Sequence, residues 1–91
     1  MSFSRIILVE SNAKDARFHT KESKKRVVAQ PIKFFEPHLE THGFLRVSRA
    51  FRINPNYLET YNSEQEVLTM SNGQIANISR WRKSILKGLM D

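Results

Sequence analysis

Short runs of apolar residues, separated by polar turns, recur along the chain at lengths typical of strands. Ile6 to Val9 is a continuous aliphatic run, which is typical of a strand buried on both faces. Ala16 to Thr20 and Arg26 to Ala29 are the next predicted strands, and a polar turn over residues 21–25 joins them. The N-terminal part of the chain therefore predicts antiparallel β-structure.

The clearest hairpin signal is Asn72-Gly73, which lies between the strand-like runs Val67 to Ser71 and Gln74 to Ile78. This dipeptide favours a type I′ turn, in which both central residues have positive φ. Tyr57 to Tyr61 is a further predicted strand before the hairpin. The C-terminal half therefore predicts a second set of antiparallel strands.

The segment over residues 43–55 has a strand periodicity that one residue contradicts. Its alternate positions are apolar except for Arg49, and the apolar ones are Leu45, Val47, Phe51 and Ile53. Because an unpaired guanidinium is costly to bury, one continuous strand is unfavourable here. We therefore predict a bend or bulge over residues 48–50 that leaves Arg49 exposed between two short strands. Arg46 and Arg52 have the other parity and are expected on the solvated face of the sheet.

A short helical segment is predicted in the middle of the chain. Pro31 suits a first helical position, and apolar residues follow it at helical spacing: Ile32, Phe35 and Leu39. Pro37 is incompatible with the interior of a longer helix, so we expect a short helix or two single turns. Gly43 is placed to cap the C-terminal end of this segment.

A second helix is predicted at the C-terminal end, with Ser79 as its N-terminal cap. Its apolar stripe is formed by Trp81, Ile85 and Leu89. The first turn carries Arg80, Arg82 and Lys83, although the helix dipole favours acidic residues there. Free backbone N–H groups beside these cations make a candidate phosphate site, and the alternative is that the cations are only solvated surface charges.

The charge balance of the chain indicates what kind of partner it can bind. The chain has 91 residues, with 15 Lys and Arg against 9 Asp and Glu, which gives a formal net charge of +6. This excess favours a polyanionic partner, although charge can also serve solubility alone. The length and the lack of linkers predict a single domain over residues 1–91. Cysteine is absent, which fits a cytoplasmic setting, and no apolar run is long enough for a membrane span.

Other candidate chemistry is sparse. Lys14 and Arg17 flank the turn after the first strand, where a loop again offers cations. His38 and His42 are spaced as in a zinc-binding helix, but Leu39 stands where the metalloprotease motif has its Glu, and no third ligand is evident. The sequence therefore predicts a protein that is not an enzyme, with no metal, no cofactor and no small-molecule substrate.

Taken in order, these motifs resemble the LytTR-type DNA-binding domain, the output domain of many bacterial two-component response regulators of the AlgR, AgrA and LytR kind. The matching pieces are Ile7-Leu8-Val9-Glu10, Lys14 to Arg17, Ile32 with Phe35 and Leu39, Phe44 to Asn54, Ser71-Asn72-Gly73, and Ile78-Ser79-Arg80. The resemblance implies a mainly β, elongated fold of small antiparallel sheets with a short central helix and a C-terminal helix. It also implies that the strand pair that usually precedes Ile6 in the family is shortened or missing here.

The resemblance further implies transcription regulation through loops inserted into successive major grooves of double-stranded DNA. The residues that it assigns to DNA contact are Lys14, Arg17, Ser48, Arg49, Ser79, Arg80 and Arg82, and charge adds Lys83. Ser48 replaces the usual His and Ala50 the usual Ser, whereas Arg49 is retained. Paired direct repeats of DNA, bound by two copies that can form a homodimer on DNA, are the expected target.

Two other functions stay open from the residues. A basic β-rich domain can bind single-stranded RNA, but that mode uses aromatic side chains on an exposed sheet, and most of the Phe residues are expected inside. A protein-interaction module that uses a shortened sheet edge is the other alternative.

Overall fold

A computed structural model describes residues 2–22, 24–80, 82 and 83, and it confirms the mainly β fold. The strands are β1 (Ile6–Ser11), β2 (Ala16–Thr20), β3 (Lys25–Val28), β4 (Leu45–Arg46), β5 (Phe51–Ile53), β6 (Leu58–Asn62), β7 (Val67–Met70) and β8 (Ile75–Asn77). A helix, α1 (Glu36–Thr41), and the 3-10 turns Phe3–Arg5, Ile32–Phe34 and Pro55–Tyr57 connect them. One antiparallel sheet has the order β3-β2-β1-β5-β4, and the other has the order β6-β7-β8. The apolar stripe of the predicted C-terminal helix lies outside the described residues.

β1 is the central strand of the larger sheet, and its apolar run is buried on both faces, as predicted. Its pairing with β2 shifts register between Ile6 and Leu8. Because of this bulge, Ile7 and Leu8 both pack on one side of the sheet, whereas Ile6 and Val9 pack on the other. A single strand therefore contributes two residues to each of two cores.

The two cores make the domain a three-layer structure. The inter-sheet core lies between the two sheets and consists of Ile7, Leu8, Val47, Ile53, Leu68, Met70, Ala76 and Ile78. The helix-side core lies between the larger sheet and the central helical segment and consists of Ile6, Val9, Ala16, Phe18, Ile32, Leu39 and Phe44. Val47, which lies between β4 and Ser48, is fully buried in the inter-sheet core. The larger sheet is thus held on both faces, which fixes the positions of its loops.

The central segment forms a 3-10 turn followed by α1, in line with the expected short helix or two turns. Pro37 lies in the first turn of α1, where its missing N–H costs nothing. Gly43 follows the helix with a φ of 81°, and its N–H donates to the carbonyl of Glu40 at 3.0 Å. The N–H of Phe44 donates to the carbonyl of Leu39 at 2.9 Å, which completes a Schellman cap. The predicted glycine cap is therefore confirmed.

The β7–β8 hairpin is confirmed, but the predicted type I′ turn is wrong. Gly73 has a φ of 86°, whereas Asn72 is not among the residues with positive φ. The N–H of Gly73 donates to the carbonyl of Met70 at 2.9 Å, and the N–H of Met70 donates to the carbonyl of Gln74 at 2.8 Å. Residues 71–73 therefore form a three-residue loop between the paired residues Met70 and Gln74. In such a loop only the glycine is left-handed, whereas a two-residue type I′ turn needs two left-handed residues.

The N-terminal turn packs on the helical segment through aromatic rings. Phe3 stacks on His42 with 4.5 Å between ring centroids and on His38 with 6.1 Å. The two histidines thus contact a ring in this structure, and the described part of the chain shows no group of three His, Cys, Asp or Glu side chains placed to hold a metal ion. Among the described residues, no helix has the length and apolar character needed to span a membrane.

Candidate nucleic-acid interface

Three basic segments meet at one end of the larger sheet, and backbone hydrogen bonds join them. The N–H of Ser11, at the end of β1, donates to the carbonyl of Ala50 at 2.7 Å. The N–H of Ser79, after β8, donates to the carbonyl of Val47 at 2.7 Å. The segments are named here the first loop (residues 12–15), the bend (residues 48–50) and the last segment (Ser79, Arg80, Arg82 and Lys83). The bend is therefore tied on one side to the strand that enters the first loop and on the other to the start of the last segment.

The first loop is a tight, self-bonded connection between β1 and β2. The side-chain oxygen of Asn12 accepts hydrogen bonds from the N–H groups of Lys14 and Asp15, each at 3.0 Å. Lys14 is exposed at the tip of this turn. Arg17 is half-buried in β2, and its Nε lies 3.8 Å from a carboxylate oxygen of Asp15. Of the two cations predicted here, Lys14 is therefore the more accessible one.

The bend reverses the chain between β4 and β5, which pair antiparallel. Val47 is buried, Phe51 is half-buried, and Arg49 between them is exposed, as the parity of the sequence predicts. The hydroxyl oxygen of Ser48 accepts a hydrogen bond from the N–H of Phe51 at 3.2 Å, which closes the reversal. Ser48 thus has a structural bond in addition to its predicted contact with DNA, and Arg49 is presented to solvent.

Arg52 departs from the sequence prediction, which placed it on a solvated face. Its exposed fraction is 5%, and its guanidinium forms an ion pair with the carboxylate of Glu36 in α1. Its Nη1 donates to the carbonyl of Arg49 at 2.7 Å and lies 3.5 Å from the carbonyl of Ser48. Sequence periodicity could not reveal this, because the acidic partner belongs to a different element. Arg46, predicted on the same face, is exposed as expected.

The last segment begins with a single turn, in which the N–H of Arg82 donates to the carbonyl of Ser79 at 2.9 Å. Arg80 is exposed, and Arg82 lines a groove of about 260 Å³ beside α1 and β4. The Nζ of Lys83 lies 3.4 Å from a carboxylate oxygen of Glu66. Lys83 is therefore partly neutralised, whereas Arg80 keeps its full charge at the surface.

The three joined segments carry accessible positive charge, and exposed cations also follow the β2–β3 turn and β3, among them Lys24, Lys25 and Arg26. Lys14, Arg49 and Arg80 are exposed and form no ion pair within residues 2–22, 24–80, 82 and 83. Glu59 and Glu64, in contrast, are exposed on the smaller sheet and its β6–β7 turn. An approaching polyanion is therefore attracted more to the three joined segments than to the acidic side of the smaller sheet.

Comparisons with known proteins point to one family. A family model described as the LytTr DNA-binding domain matches residues 1–91. Among solved structures, the chain is similar to the LytTr DNA-binding domain of a Bacillus cereus protein described as a methyl-accepting/DNA response regulator. That likeness has a TM-score of 0.80 at 24% sequence identity and covers 99% of this chain and 84% of the other. Comparison with curated protein sequences gave no match.

Proposed function

Because this chain belongs to the LytTr DNA-binding domain family, we propose that it regulates transcription by binding double-stranded DNA with sequence preference. In this proposal the first loop, the bend and the last segment enter successive major grooves on one face of the DNA. The observation that carries the proposal is the pair of backbone hydrogen bonds, from Ser11 to Ala50 and from Ser79 to Val47, that hold the three basic segments together.

The cations of the three segments divide into two roles according to where they lie. Lys14 and Arg82 flank the bend from the two neighbouring segments and are assigned to phosphate groups, which supply affinity without sequence information. Arg49 lies on the bend between them and is assigned to a base edge, because an arginine fork can bind O6 and N7 of guanine in bidentate fashion. Arg80 is assigned to a second base edge. Lys83 contributes less, because Glu66 already lies 3.4 Å from its amine.

The remaining site residues support these contacts. Arg17 lies in β2 just after the first loop, Ser48 begins the bend, and Ser79 starts the last segment, where its hydroxyl is assigned to a phosphate. The family resemblance supports a target of paired direct repeats bound by two copies of the chain, with a homodimer formed on DNA. We therefore propose a cytoplasmic location in a bacterial cell, where the DNA that the protein binds is found.

Selection from a library of randomised duplexes tests this proposal. The chain is expected to enrich a common sequence motif, and fluorescence anisotropy then compares the enriched duplex with a scrambled duplex of equal composition. Counting Lys83 with Lys14 and Arg82 as a phosphate contact, affinity should fall about 40-fold between 50 and 200 mM salt. Preference for single-stranded RNA over the enriched duplex at equal salt would contradict the proposal, and so would the absence of any binding above background.

A further inference from the structure

We propose that Arg52 and Glu36 form a positioning pair that sets DNA sequence discrimination by holding the backbone of the bend, without touching DNA. This inference rests on the proposed function, since it concerns how the same site reads sequence. Arg52 is a positioning residue here, because its action on DNA passes through Arg49.

The guanidinium of Arg52 connects the backbone of the bend with α1. One of its amino groups donates to the carbonyl of Arg49 at 2.7 Å and approaches the carbonyl of Ser48 at 3.5 Å. The other amino group pairs with the carboxylate of Glu36 in α1. The peptide group of Arg49 is therefore anchored to the helix, although its side chain is in solvent.

The degree of burial excludes a direct role for Arg52 in binding a polyanion. With an exposed fraction of 5%, its charge is enclosed beneath the bend and faces Glu36. Arg46, its cross-strand neighbour, is exposed and has no such anchor among the described residues. The two arginines line the same groove but differ in burial, and of the two only Arg52 donates to the backbone of the bend among the described residues.

The energetics of the pair also favour a geometric role over a purely stabilising one. Removing two charges from water costs about as much as their attraction returns, so a well-packed apolar pair is often equally stable. The Nε of Arg52 is buried without a hydrogen-bond partner in the described part of the chain, which adds to the cost. What an apolar pair cannot supply is a donor to the carbonyl of Arg49. Fixing that peptide before DNA binds reduces the entropy lost when the Arg49 side chain meets a base.

The double substitution E36M/R52M separates these roles, because it removes both charges and leaves the net charge of the chain unchanged. We expect a thermal midpoint equal to or above that of the wild-type chain, and an affinity for a scrambled duplex within about twofold of wild type. The ratio of affinities for the wild-type-enriched duplex and the scrambled duplex should fall about tenfold. Amide exchange at Phe51, whose N–H bonds to Ser48, should become faster, while exchange at Phe18 in β2 stays unchanged.

A second variant keeps the test decisive if the double substitution impairs folding. Arg52→Lys retains a cation beside Glu36, but an amine replaces only part of the hydrogen bonding that the guanidinium gives to the backbone of the bend. The ratio of affinities for the enriched and scrambled duplexes should therefore fall by about threefold in this variant. If the wild-type chain enriches a duplex but both variants keep its affinity ratio and its Phe51 exchange rate, the positioning role is wrong and the proposed function stands. If the wild-type chain enriches no duplex, the proposed function is wrong and this inference fails with it.

Discussion

Replacing Arg49 with Ala should reduce base discrimination while leaving the fold intact. The Arg49 side chain is exposed and forms no hydrogen bond or ion pair among the described residues. The bond that involves this residue uses its carbonyl, which Ala also provides. The thermal midpoint of unfolding should therefore stay at the wild-type value, and any change in binding reflects the lost guanidinium.

The magnitude follows from the role that the bend assigns to this side chain. A bidentate contact of arginine with guanine contributes about 1 to 3 kcal/mol of discrimination, which corresponds to about 5-fold to 150-fold in affinity. We expect this loss for the enriched duplex and a much smaller loss for the scrambled duplex. Fluorescence anisotropy at fixed salt measures both affinities on the same preparation.

Arg46→Ala is the matched control, because it removes the same charge from an exposed arginine on β4, outside the bend. Its effect should be equal on the two duplexes, so the ratio of affinities stays constant. Equal weakening of both duplexes by Arg49→Ala would contradict the base contact, since Arg49 would then contact phosphate. So would a change in the affinity ratio by Arg46→Ala as large as that by Arg49→Ala.

Three further predictions concern the scaffold. Asn54→Ala removes a buried donor to the carbonyl of Ile6, at 3.1 Å, and should lower the free energy of unfolding by about 1 to 3 kcal/mol in urea titrations; an unchanged midpoint would contradict this. Gly73→Ala should lower the free energy of unfolding by about 1 to 2 kcal/mol in the same titrations, because the φ of 86° at this position is left-handed. No atom lies within 4 Å of the added Cβ, so a larger loss would contradict a purely conformational cost. The Arg5 side chain, through its hydrogen bond, lowers the pKa of Glu22, so Arg5→Ala should raise that pKa in an NMR titration. The stabilisation from this pair is present at neutral pH and is lost as pH falls through the pKa of Glu22 in the folded state, so an unshifted titration would exclude the contact.

The features that the sequence predicts well are those set by local pattern. The apolar run of β1, the glycine cap at Gly43 and the exposure of Arg49 all follow from parity, spacing and the cost of burying a charge. The Asn72-Gly73 pattern likewise predicts the β7–β8 hairpin. It missed the turn type, because the number of residues in the loop depends on which strand residues pair across the sheet.

The features that the sequence does not predict depend on contacts between distant elements. Parity alone places Arg52 with Arg46 on one face, but it carries no information on whether α1 covers that face near β5. The pairing of Arg52 with Glu36 therefore appears only once the layers are assembled. The same holds for the bond from Ser79 to Val47, which brings the last segment beside the bend.

An NMR titration of the isotope-labelled chain with its enriched duplex tests most directly whether the three joined segments form the DNA-binding surface. We expect amide shift changes to concentrate in residues 12–15, 47–50 and 79–83, with small changes in β3 and in the β6–β7 turn. Changes centred on β3, or on the smaller sheet around Glu59 and Glu64, would contradict the claim that the three joined segments form the DNA-binding surface.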